Sequence, residues 1–162
     1  AGNGQGMPYT KHILEHNTLC ASIKMPSGLF GSKASVCVCI YVFQVNRPHE
    51  EDDIVTFIDF TEDGYSRQNR KKSSQEVNLR NTDHAEERYD EVLAHVLGKK
   101  PKTKYYTEAN GKIIKDVITL NGDDWNFSQH QVIDTVPTLE DFKATVENYL
   151  SWRVSQLMKG AV

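Results

Sequence analysis

Two apolar runs joined by a short loop, LCASIKMPSGLFGSKASVCVCIYVF from Leu19 to Phe43, limit the possible folds of this chain more than any other stretch. Leu19–Lys24 alternates loosely and stops at Met25-Pro26, because proline has no N–H for a ladder and turns the chain. Val36–Phe43 is apolar, β-branched or aromatic throughout, and so short a continuous run reads as a central strand covered on both faces. Between them Gly28 and Gly31 bracket Leu29-Phe30 and permit unusual backbone angles. Phe30 therefore either caps the core or projects from the end of the sheet. A third run, Ile54–Phe60, follows Asn46–Asp53 (NRPHEEDD), whose charge density marks a solvated hairpin loop. A connection this short implies that Val36–Phe43 and Ile54–Phe60 are antiparallel neighbours.

Beyond Phe60 the chain turns polar, and residues 61–82 read as a polar, basic loop. Arg67, Arg70, Lys71 and Lys72 are interleaved there with Tyr65, Gln68 and Asn69. Such cations can follow phosphates while the amides reach base edges. Glu62, Asp63 and Glu76 dilute that field, so a plain solvated loop is the competing reading. A helix begins at an Asp83/Glu86 capping pair, shows Ala85, Tyr89, Val92, Leu93 and Val96 on one face, and stops at Gly98. Lys99, Lys100, Lys102 and Lys104 then look like a charged linker. Two strands, Lys104–Thr107 and Ile113–Thr119, are expected around Asn110-Gly111. The last element, 138–158, starts at Thr138 with Asp141 as its box partner. It presents Leu139, Phe142, Val146, Tyr149, Leu150 and Leu157, suited to its own sheet or to a partner subunit. Near the start, Pro8–His16 reads as a short helix. His12 and His16 lie four apart with only Glu15 nearby and no second cluster, so no metal site is expected.

At 162 residues, with no internal repeat and no long Ser, Gly or Pro tract, a single domain is expected over 1–162. The net charge of −3 gives no global pull on nucleic acid, so any contact with it comes from a local patch. There is no apolar run long enough for a membrane span and no signal peptide, which makes a cytoplasmic location the expectation. Cys37 and Cys39 sit two apart on one strand with Cys20 on its neighbour, a poor arrangement for a disulfide, and all three read as small core residues.

The order Met25-Pro26, Leu29-Phe30, Lys33, Ser35 and then a long apolar strand resembles the late part of the catalytic domain of amino-group DNA methyltransferases. IVTFIDFTEDGYSRQNRKKS and DWNFSQHQVIDTVPTLEDF continue the likeness from about His12 to Trp152. The nearest family is the modification subunits of type I restriction-modification systems and related N-6 adenine methylases. The resemblance implies an α/β fold: the carboxy-terminal portion of a Rossmann-like methyltransferase sheet, ending in an antiparallel strand pair with flanking helices. It implies that Phe30 stacks on a target base flipped out of the duplex, since an exocyclic amine is unreachable inside a base pair. Such a stack is worth about 1–3 kcal/mol. Lys33 and Ser35 would then meet phosphate. Trp125-Asn126 resembles the element where the family's chain leaves the catalytic domain, with a structural role.

Family members bind S-adenosylmethionine through a strand and a glycine-rich turn, and hold the adenine amine with an Asn-Pro-Pro-aromatic tetrapeptide. Neither occurs here. The five prolines are all isolated, and no strand precedes the glycines of Ala1–Gly6. The resemblance therefore implies a single partial domain with no catalytic, cofactor-binding or metal residues of its own, inactive in isolation. Its parent would be a site-specific adenine methyltransferase using S-adenosylmethionine, partnered by DNA and by specificity and restriction subunits, with no membrane. The alternative is a non-catalytic DNA- or partner-binding module of the same fold. A third reading, a metal-dependent nuclease, would gather Mg²⁺ on Asp59, Glu62 and Asp63.

Overall fold

The computed structural model describes residues 7–27, 29, 36–69, 77–132 and 136–159. The chain forms two compact units, residues 1–131 and 132–162. In the first, α1 (Met7–Leu14) leads into β1 (Asn17–Lys24), followed by β2 (Cys39–Val45) and β3 (Val55–Asp59). Then come β4 (Tyr65–Asn69), β5 (Val77–Asn81), α2 (Ala85–Val96), β6 (Ile113–Asp116) and the single turn α3 (Phe127–His130). The second unit carries α4 (Leu139–Lys159). None of the helices described is long and apolar enough to cross a membrane.

The protein is α/β, built on a four-stranded mixed sheet in the order β2-β1-β3-β6. Here the structure corrects two expectations. The apolar strand β2 is an edge, not the centre, with Ile40 44% and Val45 67% exposed. Nor is it the neighbour of β3: β2 pairs antiparallel with β1, and β3 lands on the other side of β1, parallel to it. The 46–54 connection makes this possible by crossing the start of β1. Thr18 donates its hydroxyl to the carbonyls of Arg47 and Pro48, and the His49 N–H donates to the Leu14 carbonyl. Hydrogen bonding of the connection to the strand outweighs the simple hairpin that its length suggests.

Alternation along β3 divides the core between the two faces of the sheet. Val55 and Phe57 join Leu14, Leu19, Ile118, Trp125 and Phe127 on one face. Ile58 and Phe60 join Ile23, Val92, Tyr106 and Ile113 on the other. Leu19 and Ile23, four apart on β1, would share a face in a regular strand. They serve opposite faces because a bulge interrupts the pairing with β2 between Leu19 and Ala21.

Elsewhere the local expectations fare unevenly. Residues 65–69 and 77–81 of the polar stretch pair as an antiparallel hairpin. Ile113–Asp116 forms a strand against β3, whereas Lys104–Thr107 is an irregular segment. Helix α2 starts at His84 in a left-handed conformation with no side-chain cap, and Asn81, not Asp83, accepts the Ala85 N–H at 2.9 Å. Its buried face is Ala85, Glu91 and Val92, while Tyr89 and Leu93 are exposed. The cysteines are free thiols, and none is a core residue: Cys37 is exposed, Cys20 and Cys39 half-buried. In the second unit, α4 opens with the expected box, Thr138 and Asp141 exchanging hydrogen bonds of 3.0 and 3.1 Å. Its apolar side chains, from Leu139 and Phe142 to Leu157, are exposed.

Candidate functional site

Parallel strands end at the same edge of a sheet, and in α/β proteins ligands bind outside those carboxyl ends. Here β1 and β3 end together, with Lys24 beside Asp59 in register and the Phe60 N–H bonded to the Lys24 carbonyl at 2.9 Å. The loop carrying Phe30 leaves from β1 and the basic stretch leaves from β3. The fold thus roots at one edge the two segments that the sequence singles out. Phe30, Lys33, Ser35, Arg70, Lys71 and Lys72 lie outside the described residues. Arg67 lies on β4, opposite Leu79.

The root of the first loop is closed by the Met25 N–H, which donates to the Val38 carbonyl at 2.8 Å, and by buried Pro26. Beside it, Asn126 acts as a hub. Its side-chain oxygen accepts the Tyr41 hydroxyl at 3.0 Å and the Cys39 thiol at 3.6 Å, and it caps α3 through a reciprocal box with Gln129. Burial pushes the Cys39 thiol up and the Tyr41 phenol up to about 12, so both stay protonated donors rather than nucleophiles. Trp125 packs edge-on against Tyr41 and Phe43, in keeping with a structural part for Trp125-Asn126.

At the root of the second segment Asp59 is partly buried, which opposes its charge. The Thr61 hydroxyl at 2.6 Å and N–H at 3.2 Å, with Lys112 and Lys24 nearby, nevertheless hold its carboxyl below the usual range. Lys112 bridges Asp59 at 3.5 Å and Glu62 at 3.4 Å. Asp63 turns inward to accept the Tyr65 N–H and the Tyr89 hydroxyl at 3.1 and 3.2 Å. Asp59, Glu62 and Asp63 thus do not converge on a common point, which leaves the nuclease reading without its metal-binding geometry. Gly64 has φ +82°, and a Cβ there would lie 2.3 Å from the Asp83 carbonyl oxygen, so the hairpin packs where only glycine fits.

Helix α2 braces this edge with groups that a simple apolar stripe does not reveal. Arg88 binds Asp83 at 2.5 Å, lies 4.4 Å over the Tyr105 ring and donates to the Glu62 carbonyl. The Tyr106 hydroxyl donates to that same carbonyl at 2.6 Å. Glu91, 1% exposed, accepts the Tyr105 and Tyr106 N–H groups at 2.9 and 2.7 Å and the Thr103 hydroxyl. Helical periodicity does not mark Glu91 in the sequence, because its neighbours one turn away include the polar Glu87, Arg88 and His95. At the far end of the unit, exposed His12, Glu15 and His16 bring one ligand atom each within 4.8 Å of one another. No other such trio of His, Cys, Asp or Glu occurs among the described residues.

Comparison with known proteins matches this chain to one family. The model of the N-6 DNA methylase family matches residues 2–153. A curated relative, the type II restriction enzyme and methyltransferase RM.BcgI of Heyndrickxia coagulans, is 26% identical over 150 residues, covering 93% of this chain and 21% of the relative. A solved structure titled for complex assembly and conformational transition of the type I R-M system aligns with a TM-score of 0.47 and 16% identity. That alignment covers 98% of this chain and 32% of the other. The chain thus spans about a fifth of the curated relative and a third of the solved chain. With the family match running over nearly its whole length, the chain belongs to the N-6 DNA methylase family.

Proposed function

We propose that this chain is the carboxy-terminal portion of a Rossmann-like methyltransferase domain in an S-adenosylmethionine-dependent DNA adenine methyltransferase. In this reading the parent is the modification subunit of a type I restriction-modification system, working with specificity and restriction subunits. The part played here is structural support for the target base and a surface for DNA. The cofactor and the catalytic tetrapeptide lie in the remainder of the parent, and this chain alone is inactive. The observation that carries the reading is the parallel register of Lys24 with Asp59, which roots the Phe30 loop and the basic segment at one edge in a chain of this family. Phe30 stacks on the extruded adenine, while Lys33, Ser35, Arg67, Arg70, Lys71 and Lys72 contact the strand around it.

The test is Phe30→Ala in the full-length protein, read as the initial rate of labelled methyl transfer from S-adenosylmethionine to unmethylated genomic DNA. Loss of a stack worth about 1–3 kcal/mol lowers that rate roughly 5- to 150-fold. A rate equal to wild type removes Phe30 from the base pocket.

A further inference from the structure

The segment 99–104 holds Lys99, Lys100, Lys102 and Lys104, all exposed. As a mere linker it would be free to spread its charge, but it is held in place. Buried Glu91 takes the Thr103 hydroxyl and the next two backbone donors beyond Lys104. His95 meets the Tyr106 carbonyl at 3.2 Å, and Tyr106 is tied to the exit of β3. The backbone that carries the four lysines is thereby fixed, and among the described residues none of the four forms an ion pair. Glu87 and Asp90 line the neighbouring pocket with Lys99, Lys100 and Lys102, but neither is ion-paired to them among the described residues.

Beside this segment lies an open cavity of about 750 Å³, lined by Lys100, Lys104 and Lys115 together with Glu108 and the apolar Pro101, Ala109 and Ile113. Lys115 is paired there with Glu108 at 2.9 Å, which leaves the other two lining lysines unneutralised. The cavity borders the start of β6, where the Lys112 carbonyl accepts the Asp59 N–H. It therefore adjoins the edge from which both loops spring.

We infer that this lysine-lined cavity is a second DNA contact, in which Lys100 and Lys104 hold backbone phosphates of the duplex away from the target base. This rests on the reading of the chain as part of a DNA methyltransferase and adds a contact which that reading does not contain. A phosphate contact fixes the position of the duplex and carries no sequence information, so its signature is electrostatic.

The experiment is fluorescence anisotropy of the full-length protein with a labelled duplex of about 40 base pairs of arbitrary sequence, titrated over a range of KCl concentrations. Lys100→Gln with Lys104→Gln is expected to weaken binding roughly 5- to 20-fold at low salt and to reduce the slope of log K against log salt by about 1–2. Lys100→Arg with Lys104→Arg should keep both. A glutamine pair with the wild-type slope, or an arginine pair as weak as the glutamine pair, overturns the inference. Wild-type protein that binds no DNA overturns this inference and the methyltransferase reading together. An unchanged slope alongside a Phe30→Ala defect in methyl transfer sinks the second contact alone.

Discussion

The two faces of the sheet meet the same difficulty, a polar side chain out of reach of water, and resolve it differently. Near the Leu14 face, His49 is buried and neither ring nitrogen has a hydrogen-bond partner among the described residues. On the Phe60 face, Glu91 is equally buried but saturated by three donors. An imidazole can be buried neutral, so burial lowers the proton affinity of His49, although Asp53 lies 3.9 Å away. A carboxyl in its place is best satisfied by donors, and the donors Glu91 selects belong to an irregular segment. The first face therefore seals the core, whereas the second immobilises loops. It is on the second that the lysine-lined cavity lies.

Three perturbations would sharpen or break that contrast. The largest effect is expected from Phe57→Ala, which empties the centre of the sealed face and should lower global stability by about 3–5 kcal/mol in denaturant unfolding. A value below about 1 kcal/mol would mean that this face is not a packed core. Glu91→Gln replaces an acceptor with an amide NH₂ that confronts a backbone N–H, and should cost about 1–3 kcal/mol. Its distinguishing mark is local: amide exchange should speed up at Tyr105 and Tyr106 more than in β3. Uniform acceleration would show that Glu91 merely stabilises the whole unit.

The smallest effect concerns pH. His49 binds protons more weakly folded than unfolded, so the unfolded state gains protons first on acidification. Stability should be complete above about pH 6.5 and decline as pH falls below it, towards the lowered folded value. The facing charges set how far: Asp53 and Asp124 favour the proton, Arg47 opposes it. His49→Leu should flatten the unfolding free energy between about pH 7 and 5.5. An unchanged slope in that variant would assign the pH dependence to other groups.

Much of this was legible in the sequence where it depends on near neighbours. The apolar run through β3 and the Thr138–Asp141 box of α4 follow from patterns within one turn or one strand, while the class of fold came with the family resemblance. What escaped is nonlocal. Whether β2 is central or marginal depends on where β3 docks, and that is decided by Thr18 bonding to the 46–54 connection some thirty residues on. The role of Glu91 depends on donors twelve to fifteen residues away. At the candidate site, the chain's own residues marked which segments matter, but only the parallel pairing of β1 with β3 puts their roots together.

The bulge at Leu19–Ala21 makes β1 a strand with two phases. Upstream of it the odd-numbered Leu19 reads into the sealed face, and downstream the even-numbered Ser22 does, reaching the Trp125 carbonyl at 2.5 Å. The extra residue thus works as a frame shift written in side chains. Deleting Cys20 would shorten the strand by only one position. It would also turn Leu19 or Ser22 to the wrong side, so this one half-buried position governs which halves of the core can coexist.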